Sequence, residues 1–300
     1  MTLVIAKALK DIAWLVADTL ITSPGGDLRQ REYALKIFKL NPETLAAYSG
    51  APEIAHRVLC AAAQIAKEPT IGELVHLIIS NTQDSSIDFI LAHSGRLHVI
   101  KDGAYQANAA FAYLGNQEAS EAFAANYEMP MPSDSTLAEI ARADLQIVQT
   151  DSIAAATTEA TRIGFRLYDA MNAVSADSTH WTVGGPTVLA CSARSHASYA
   201  LFSCHNTPAF LPVKEQGWHS IGFGDASSGG HSFSIITELG DTAVSAWGVF
   251  HKQGYFGRLF IADLNTGTFQ KIEGTADSAA AFCSAVALQY GINITHAGSI

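Results

Sequence analysis

Charge is the scarcest commodity in this sequence of 300 residues. Only 15% of the chain is Asp, Glu, Lys or Arg, against a usual share of about 25%, while 48% is hydrophobic. So little charge leaves part of the surface to be covered, and burial against further copies of the chain is the expected cover. Basic runs are missing as well. The net charge is −10 and Lys and Arg fall singly, which argues against nucleic acid or an anionic membrane as the main partner. No stretch approaches the roughly 18 apolar residues of a membrane span. Lys7, Lys10 and Asp11 interrupt the apolar start, so it holds no signal-peptide core, and a cytoplasmic protein beginning close to residue 2 is expected. The 4 cysteines form no CxxC, the 11 histidines form no HxH or HxxxH, and no Gly-x-Ser-x-Gly elbow occurs. No metal and no cofactor is expected, and the thiols read as reduced. The length suits one large domain or one domain with an appendage.

What is present alternates between two periods. Residues 2–9 and 12–17 are short apolar runs parted by Lys10-Asp11, a strand pair on a tight turn. Two more strands, 34–40 and 44–48, flank Asn41-Pro42-Glu43. Pro52 stands where a first helical turn tolerates it, and Ile54, Val58, Leu59, Ala62 and Ile65 recur at helical spacing. Thr70 with Glu73 makes a capping box for a second helix running to about residue 80. Strands are expected at 88–92, 96–100 and 104–113, the last two parted by the hairpin signal Asp102-Gly103. Residues 117–173 are alanine-rich and helical, with a break at Pro130 and Pro132 and a second capping box at Thr136 and Glu139. Strands return after Gly184-Gly185, at 187–191, 199–203, 233–237, 243–250 and 258–262, and a helix closes the chain near 277–289. Antiparallel strands with helices in two blocks give an α+β class, and a four-layer αββα sandwich fits the order. Composition drifts near residues 207–217, so a domain over 1–205 is expected, followed by a β-rich extension over 206–300 packed on the same core.

Four segments carry chemistry: Thr2-Leu3-Val4-Ile5-Ala6, Val16-Ala17-Asp18-Thr19-Leu20-Ile21-Thr22, Lys36-Ile37-Phe38-Lys39-Leu40-Asn41 and Ala47-Tyr48-Ser49-Gly50. Together they resemble the β-subunits of the proteasome and the bacterial proteasome-like proteases, which are N-terminal nucleophile (Ntn) hydrolases. In that family an acidic residue follows the N-terminal Thr by sixteen positions, as Asp18 follows Thr2, and a lysine precedes a strand-closing glycine by fourteen, as Lys36 precedes Gly50. Outside this pattern Thr2 is an ordinary N-terminal residue and Asp18 with Lys36 an ion pair.

Each residue type suits that chemistry. A Thr hydroxyl needs a base, and an N-terminal Thr carries one in its α-amine, whose ordinary pKa of about 7.7 to 8.0 lies near the working pH. A neighbouring Lys36 ammonium presses that value down, and Asp18 holds Lys36 in place. Met1 must be removed to free the amine. The N–H of Gly50, on a strand-to-helix turn, is the natural oxyanion donor. The family's Gly-Ser-Gly turn is matched best by Leu114-Gly115-Asn116-Gln117, which offers Asn116 for the Ser. Its Asp and Ser before a Gly-Gly strand opening have a looser match in Asp177 and Ser178, since Asp177 lies seven residues before Gly184 rather than four.

The resemblance implies a threonine hydrolase of peptide bonds acting on peptide or unfolded-protein substrates. Thr22 would pair with substrate backbone, and Tyr48 with His56 would line a first specificity pocket made shallow by the tyrosine. It further implies a homo-oligomer of the ring type, which an ATPase could feed. Two other readings stay open: a catalytically silent proteasome-like scaffold or regulatory subunit, and an amidase acting on a small molecule.

Overall fold

A computed structural model of the chain describes residues 2–21, 32–65, 69–82, 86–128, 158–180, 182–185, 187–194, 196–202, 204–205, 232–238, 244–251 and 255–290. Thr22 and the capping box at Thr136 and Glu139 lie outside them. The described chain is mixed α+β, with antiparallel sheets and five helices.

The first strand pair forms as the sequence predicts. β1 (Leu3–Leu9) and β2 (Ile12–Ala17) are joined by Lys10-Asp11, with Lys10 at φ 52°. β3 (Leu20–Ile21) and β4 (Glu32–Tyr33) make a small ribbon. β5 (Ile37–Asn41) and β6 (Thr44–Ser49) form the next hairpin, followed by α1 (Pro52–Gln64) and α2 (Ile71–Thr82). The capping box on α2 closes in both directions: Thr70 N–H donates to Glu73 Oε2 at 2.8 Å, and Glu73 N–H to Thr70 Oγ1 at 3.3 Å.

β7 (Asp88–His93), β8 (Arg96–Lys101) and β9 (Ala104–Ala109) follow. Asp102 and Gly103 both take positive φ, 51° and 74°, as a two-residue type I′ hairpin demands. The single strand expected over 104–113 is two strands. The chain bends at Ala110, and β10 (Phe111–Gly115) leaves β8 and β9 to pair with β1 in another sheet. α3 (Gln117–Glu128) and α4 (Thr158–Ala176) come next. β11 (Val188–Ala193) pairs with β2 and with β12 (Ala197–Phe202).

Two five-stranded sheets result, ordered β10-β1-β2-β11-β12 and β5-β6-β7-β8-β9, and they lie face to face. Leu3, Ile5, Trp14 and Val16 point out of the first sheet into a core with Phe123 of α3 and Leu167 and Met171 of α4. Val4, Ala6, Leu15 and Ala17, on the opposite face by the alternation of a strand, pack into a core shared with the second sheet, α1 and α2. The inner strands of both sheets are therefore buried on both faces, which explains their unbroken apolar runs, while the edge strand β9 is exposed.

A third antiparallel sheet is built from β13 (Cys204–His205), β14 (Ser232–Glu238), β15 (Val244–His251), β16 (Phe256–Asp263) and β17 (Thr268–Thr275), with α5 (Ala279–Tyr290) after it. β17 is absent from the sequence expectation. Tyr255 is more than half exposed on a turn at φ 51°. Phe282 of α5 lies on Gly257, where a Cβ would come within 2.5 Å of its ring, and Gly257 faces Gly274 across the β16–β17 pair. Ala262 and Leu264 at the far end of that hairpin join the main core.

Candidate active site

Thr2 lies at the start of β1 and is 7% exposed. Its carbonyl accepts the Asn116 N–H at 2.9 Å and presses on Gly115, where a Cβ would stand 1.7 Å from that oxygen. Gly115 also holds φ +96°, so glycine is required there twice over. Leu3 N–H donates to Asp18 Oδ1 at 2.9 Å, and Asp18 N–H returns to Leu3 O at 3.2 Å. The second sheet supplies Lys36, on the segment entering β5, whose Nζ donates to Asp18 Oδ1 and to Leu20 O, both at 2.7 Å. Gly184, on the approach to β11, donates its N–H to Asp18 Oδ2 at 3.2 Å. Asp18 is 0% exposed and Lys36 2%, so one buried carboxylate gathers donors from three separate parts of the chain.

Burial dominates the titration of both partners. It raises the Asp18 carboxyl above its ordinary value, against the Lys36 charge and hydrogen bond and the N–H groups of Leu3 and Gly184. It lowers the Lys36 ammonium, against the charge and hydrogen bond of Asp18. Lys36 thereby lets go of a proton more readily than a surface lysine does, a property common to groups that handle protons.

Gly50 follows β6 with φ +120°, and a Cβ on it would stand 2.7 Å from Ser86 O. Its N–H belongs to the turn that leads into α1, where Pro52 opens the helix. Ser49 Oγ lies 3.4 Å from where a Gly115 Cβ would be, so the Gly50 turn adjoins the Thr2 carbonyl. Tyr48 N–H donates to Lys36 O at 3.2 Å, and its fully buried ring packs 6.2 Å from Phe38 and 5.8 Å from His56. Burial raises the Tyr48 phenol and pushes His56 down to about 4. Among the described residues neither Tyr48 Oη nor His56 Nε2 has a hydrogen-bond partner.

Asn116 has a double task. Its Oδ1 accepts the Ala119 N–H at 2.9 Å as the N-cap of α3, and its Nδ2 donates to Thr182 Oγ1 at 3.2 Å. Asp177 turns inward on its own segment. Its Oδ1 accepts the N–H and hydroxyl of Thr179 at 2.9 and 2.8 Å, which hold the carboxyl below its ordinary value, and its side chain is 47% exposed. No described contact joins Asp177 to Thr2, Asp18 or Lys36. Ser178 opens the short 3₁₀ turn Ser178–His180, and its side chain lies outside what is described. The hydroxyl that does reach the Asn116 turn is that of buried Thr182, two residues before Gly184, which the count back to Asp177 overlooks.

Among the described residues no group of three His, Cys, Asp or Glu side chains is placed to hold a metal, and no helix is long and apolar enough to cross a membrane. No protein-family model matches the chain, and neither does any curated protein.

Proposed function

We propose that this chain is a proteasome-like Ntn hydrolase, an αββα sandwich that cleaves amide bonds with Thr2 as nucleophile. The observation that carries this reading is the buried Asp18–Lys36 pair at 2.7 Å, tied to the N–H of Leu3, the residue next to Thr2. Desolvating such a pair is costly, and a well-packed apolar pair would hold the two sheets as well or better, so its retention points to chemistry. The second support is the apposition of the Gly115-Asn116 and Gly50 turns around the Thr2 carbonyl, which sets N–H groups at one end of the sandwich.

With Met1 removed, the α-amine of Thr2 takes the Oγ proton as Oγ bonds to the substrate carbonyl carbon, and Lys36 keeps that amine easily deprotonated by its charge. The Gly50 N–H receives the developing oxyanion, aided by the N-terminus of α1. The carbon–nitrogen bond breaks, the leaving amine takes the proton, and an ester to Thr2 remains. Water then attacks the ester by the same base and frees the enzyme. Asn116, which stands for the family's Ser, donates its N–H to the Thr2 carbonyl and its side-chain amide to Thr182 Oγ1, which holds the turn beside Thr2.

Intact mass and a threonine-directed electrophile test the reading together. Loss of the Met1 mass and one adduct on Thr2 are expected, with turnover of amide substrates abolished in a Thr2→Ala protein of unchanged thermal midpoint. Quantitative retention of Met1 with no adduct would overturn it and leave the silent scaffold.

A further inference from the structure

The β16–β17 hairpin comes from the far end of the chain, yet it reaches the Thr2 end of the sandwich. The Phe269 ring lies flat on His56 of α1, with centroids 4.0 Å apart and planes 7° from parallel. His56 meets Phe38 edge-on at 5.5 Å on its other side. Between these rings is a cavity of about 210 Å³, bounded by Leu35, Phe38 and His56 from the sandwich and by Ile261, Phe269 and Lys271 from the hairpin, the lysine being paired with Glu273 at 3.3 Å. Leu35 directly precedes Lys36, and Tyr48, which packs on both Phe38 and His56, donates its N–H to Lys36 O. The cavity therefore adjoins the buried ion pair.

The hairpin is braced where it makes this wall. Gln64 Nε2 of α1 donates to Asn265 O at 3.2 Å in its turn, and Asp263 closes the turn by accepting the Asn265 N–H at 2.9 Å and the Thr266 hydroxyl at 2.7 Å. Gly267 lies against Cys60, a Cβ there falling 3.9 Å from the sulfur, and Phe282 supports the hairpin at Gly257. Phe269 itself keeps 39% of its surface exposed, so one face is committed to His56 and part of the ring is open.

Resting on the Thr2 reading, we propose that this hairpin is the fixed outer wall of the pocket for the substrate side chain beside the scissile carbonyl, with Phe269 the specificity-determining residue. The occupant is one apolar side chain, a branched aliphatic or a single ring. A dry cavity of about 150 Å³ holds benzene, and pockets for drug-sized ligands start near 300 Å³, so this volume takes a side chain and little more. Tyr48 packs against Phe38 and His56 and does not itself line the cavity, so the hairpin rather than the tyrosine sets its depth.

Peptide amides that differ only in Ala, Leu, Trp or Glu before the scissile bond test this on the full chain. The unaltered protein is expected to prefer Leu over Ala and Glu at least tenfold in kcat/KM. Phe269→Ala should raise the Trp-to-Leu ratio about tenfold, and Phe269→Trp should lower the Leu-to-Ala ratio by as much. Neither should change the rate at which a small electrophile without a side chain labels Thr2. Ratios constant within twofold in both variants overturn the wall. Calorimetric binding of the same peptides to Thr2→Ala protein, with and without the Phe269 changes, separates the two readings. Affinities that reorder with Phe269 although the unaltered protein neither labels nor turns over keep the wall and discard the nucleophile. Affinities that ignore the side chain discard the wall whatever Thr2 does.

Discussion

Two aspartates bracket β2, and their ion pairs behave in opposite ways. Asp11, on the turn before the strand, meets Arg194 at 3.0 Å with the two side chains 60% and 77% exposed. Asp18, just past the strand, meets Lys36 at 2.7 Å with 0% and 2% exposed. The first pair replaces water on both groups with little change, and such surface contacts contribute roughly 0 to 1 kcal/mol. The second has surrendered its water and has Leu3, Leu20 and Gly184 as hydrogen-bond partners in its place. The same chemistry is optional at one end of the strand and indispensable at the other.

The largest effect is expected from breaking the buried pair one partner at a time. Lys36→Met leaves Asp18 buried without its cation and should cost about 3 to 5 kcal/mol in denaturant unfolding, as removing one partner of a buried pair does. The double variant Asp18→Asn with Lys36→Met removes both charges and keeps an acceptor for one of the two N–H groups of Leu3 and Gly184, so it should regain part of that loss while amide turnover stays absent. A double variant as unstable as Lys36→Met would mean that the pair is a structural clamp, and the contrast with Asp11 would be one of degree only.

How much of this was legible depends on how far apart the partners lie. Local signals were read correctly, because Lys10-Asp11, Asp102-Gly103 and Thr70 with Glu73 each act within four residues. The pairing of Asp18 with Lys36 beside Leu3 joins two adjacent hairpins, and the spacing of those residues in the sequence marks both partners. The bend at Ala110 was not legible, because the run over 104–113 continues without a Gly or Pro while the chain changes sheets. The local bonding of Asp177 is hidden for a related reason. A carboxylate two residues before Thr179 can satisfy itself on its own turn, and linear counting does not weigh that competition against a distant site. Phe269 on His56 joins opposite ends of the sequence, and neither residue announces the other.

A middle-sized effect is expected from His56, which shares the buried end of the molecule but carries no partner for its Nε2. Burial lowers it from an ordinary 6.5 to about 4, with Glu53 opposing weakly. Between those values the unfolded chain binds a proton that the folded chain refuses, so stability rises with pH across the window and falls on acidification. The loss from pH 7 to pH 4 should be at most about 3 kcal/mol. Carboxylates titrate at the lower edge as well, so the quantity to measure is the difference in unfolding free energy between the unaltered protein and His56→Gln at each pH. That difference should shift steadily between pH 6.5 and 4, and a flat difference would show that His56 is wetter than its packing under Phe269 implies.

The smallest effect belongs to the exposed pair, and it is informative because it should be almost nothing. Arg194→Ala removes a cation whose partner Asp11 keeps its water, so the unfolding midpoint should move by no more than about 0.5 kcal/mol equivalent. Whatever remains should vanish as salt is raised, because charges this exposed are screened within about 10 Å at 0.1 M. Lys36→Met should keep its full cost at the same salt, since no ions enter between Asp18 and its donors. The ratio of the two losses, followed from low to high salt, measures what burial alone adds to an ion pair at the two ends of β2. A salt-insensitive loss at Arg194 comparable to that at Lys36 would mean that the turn end is held by its ion pair as firmly as the Thr2 end, and the argument from buried charge to function would lose its contrast.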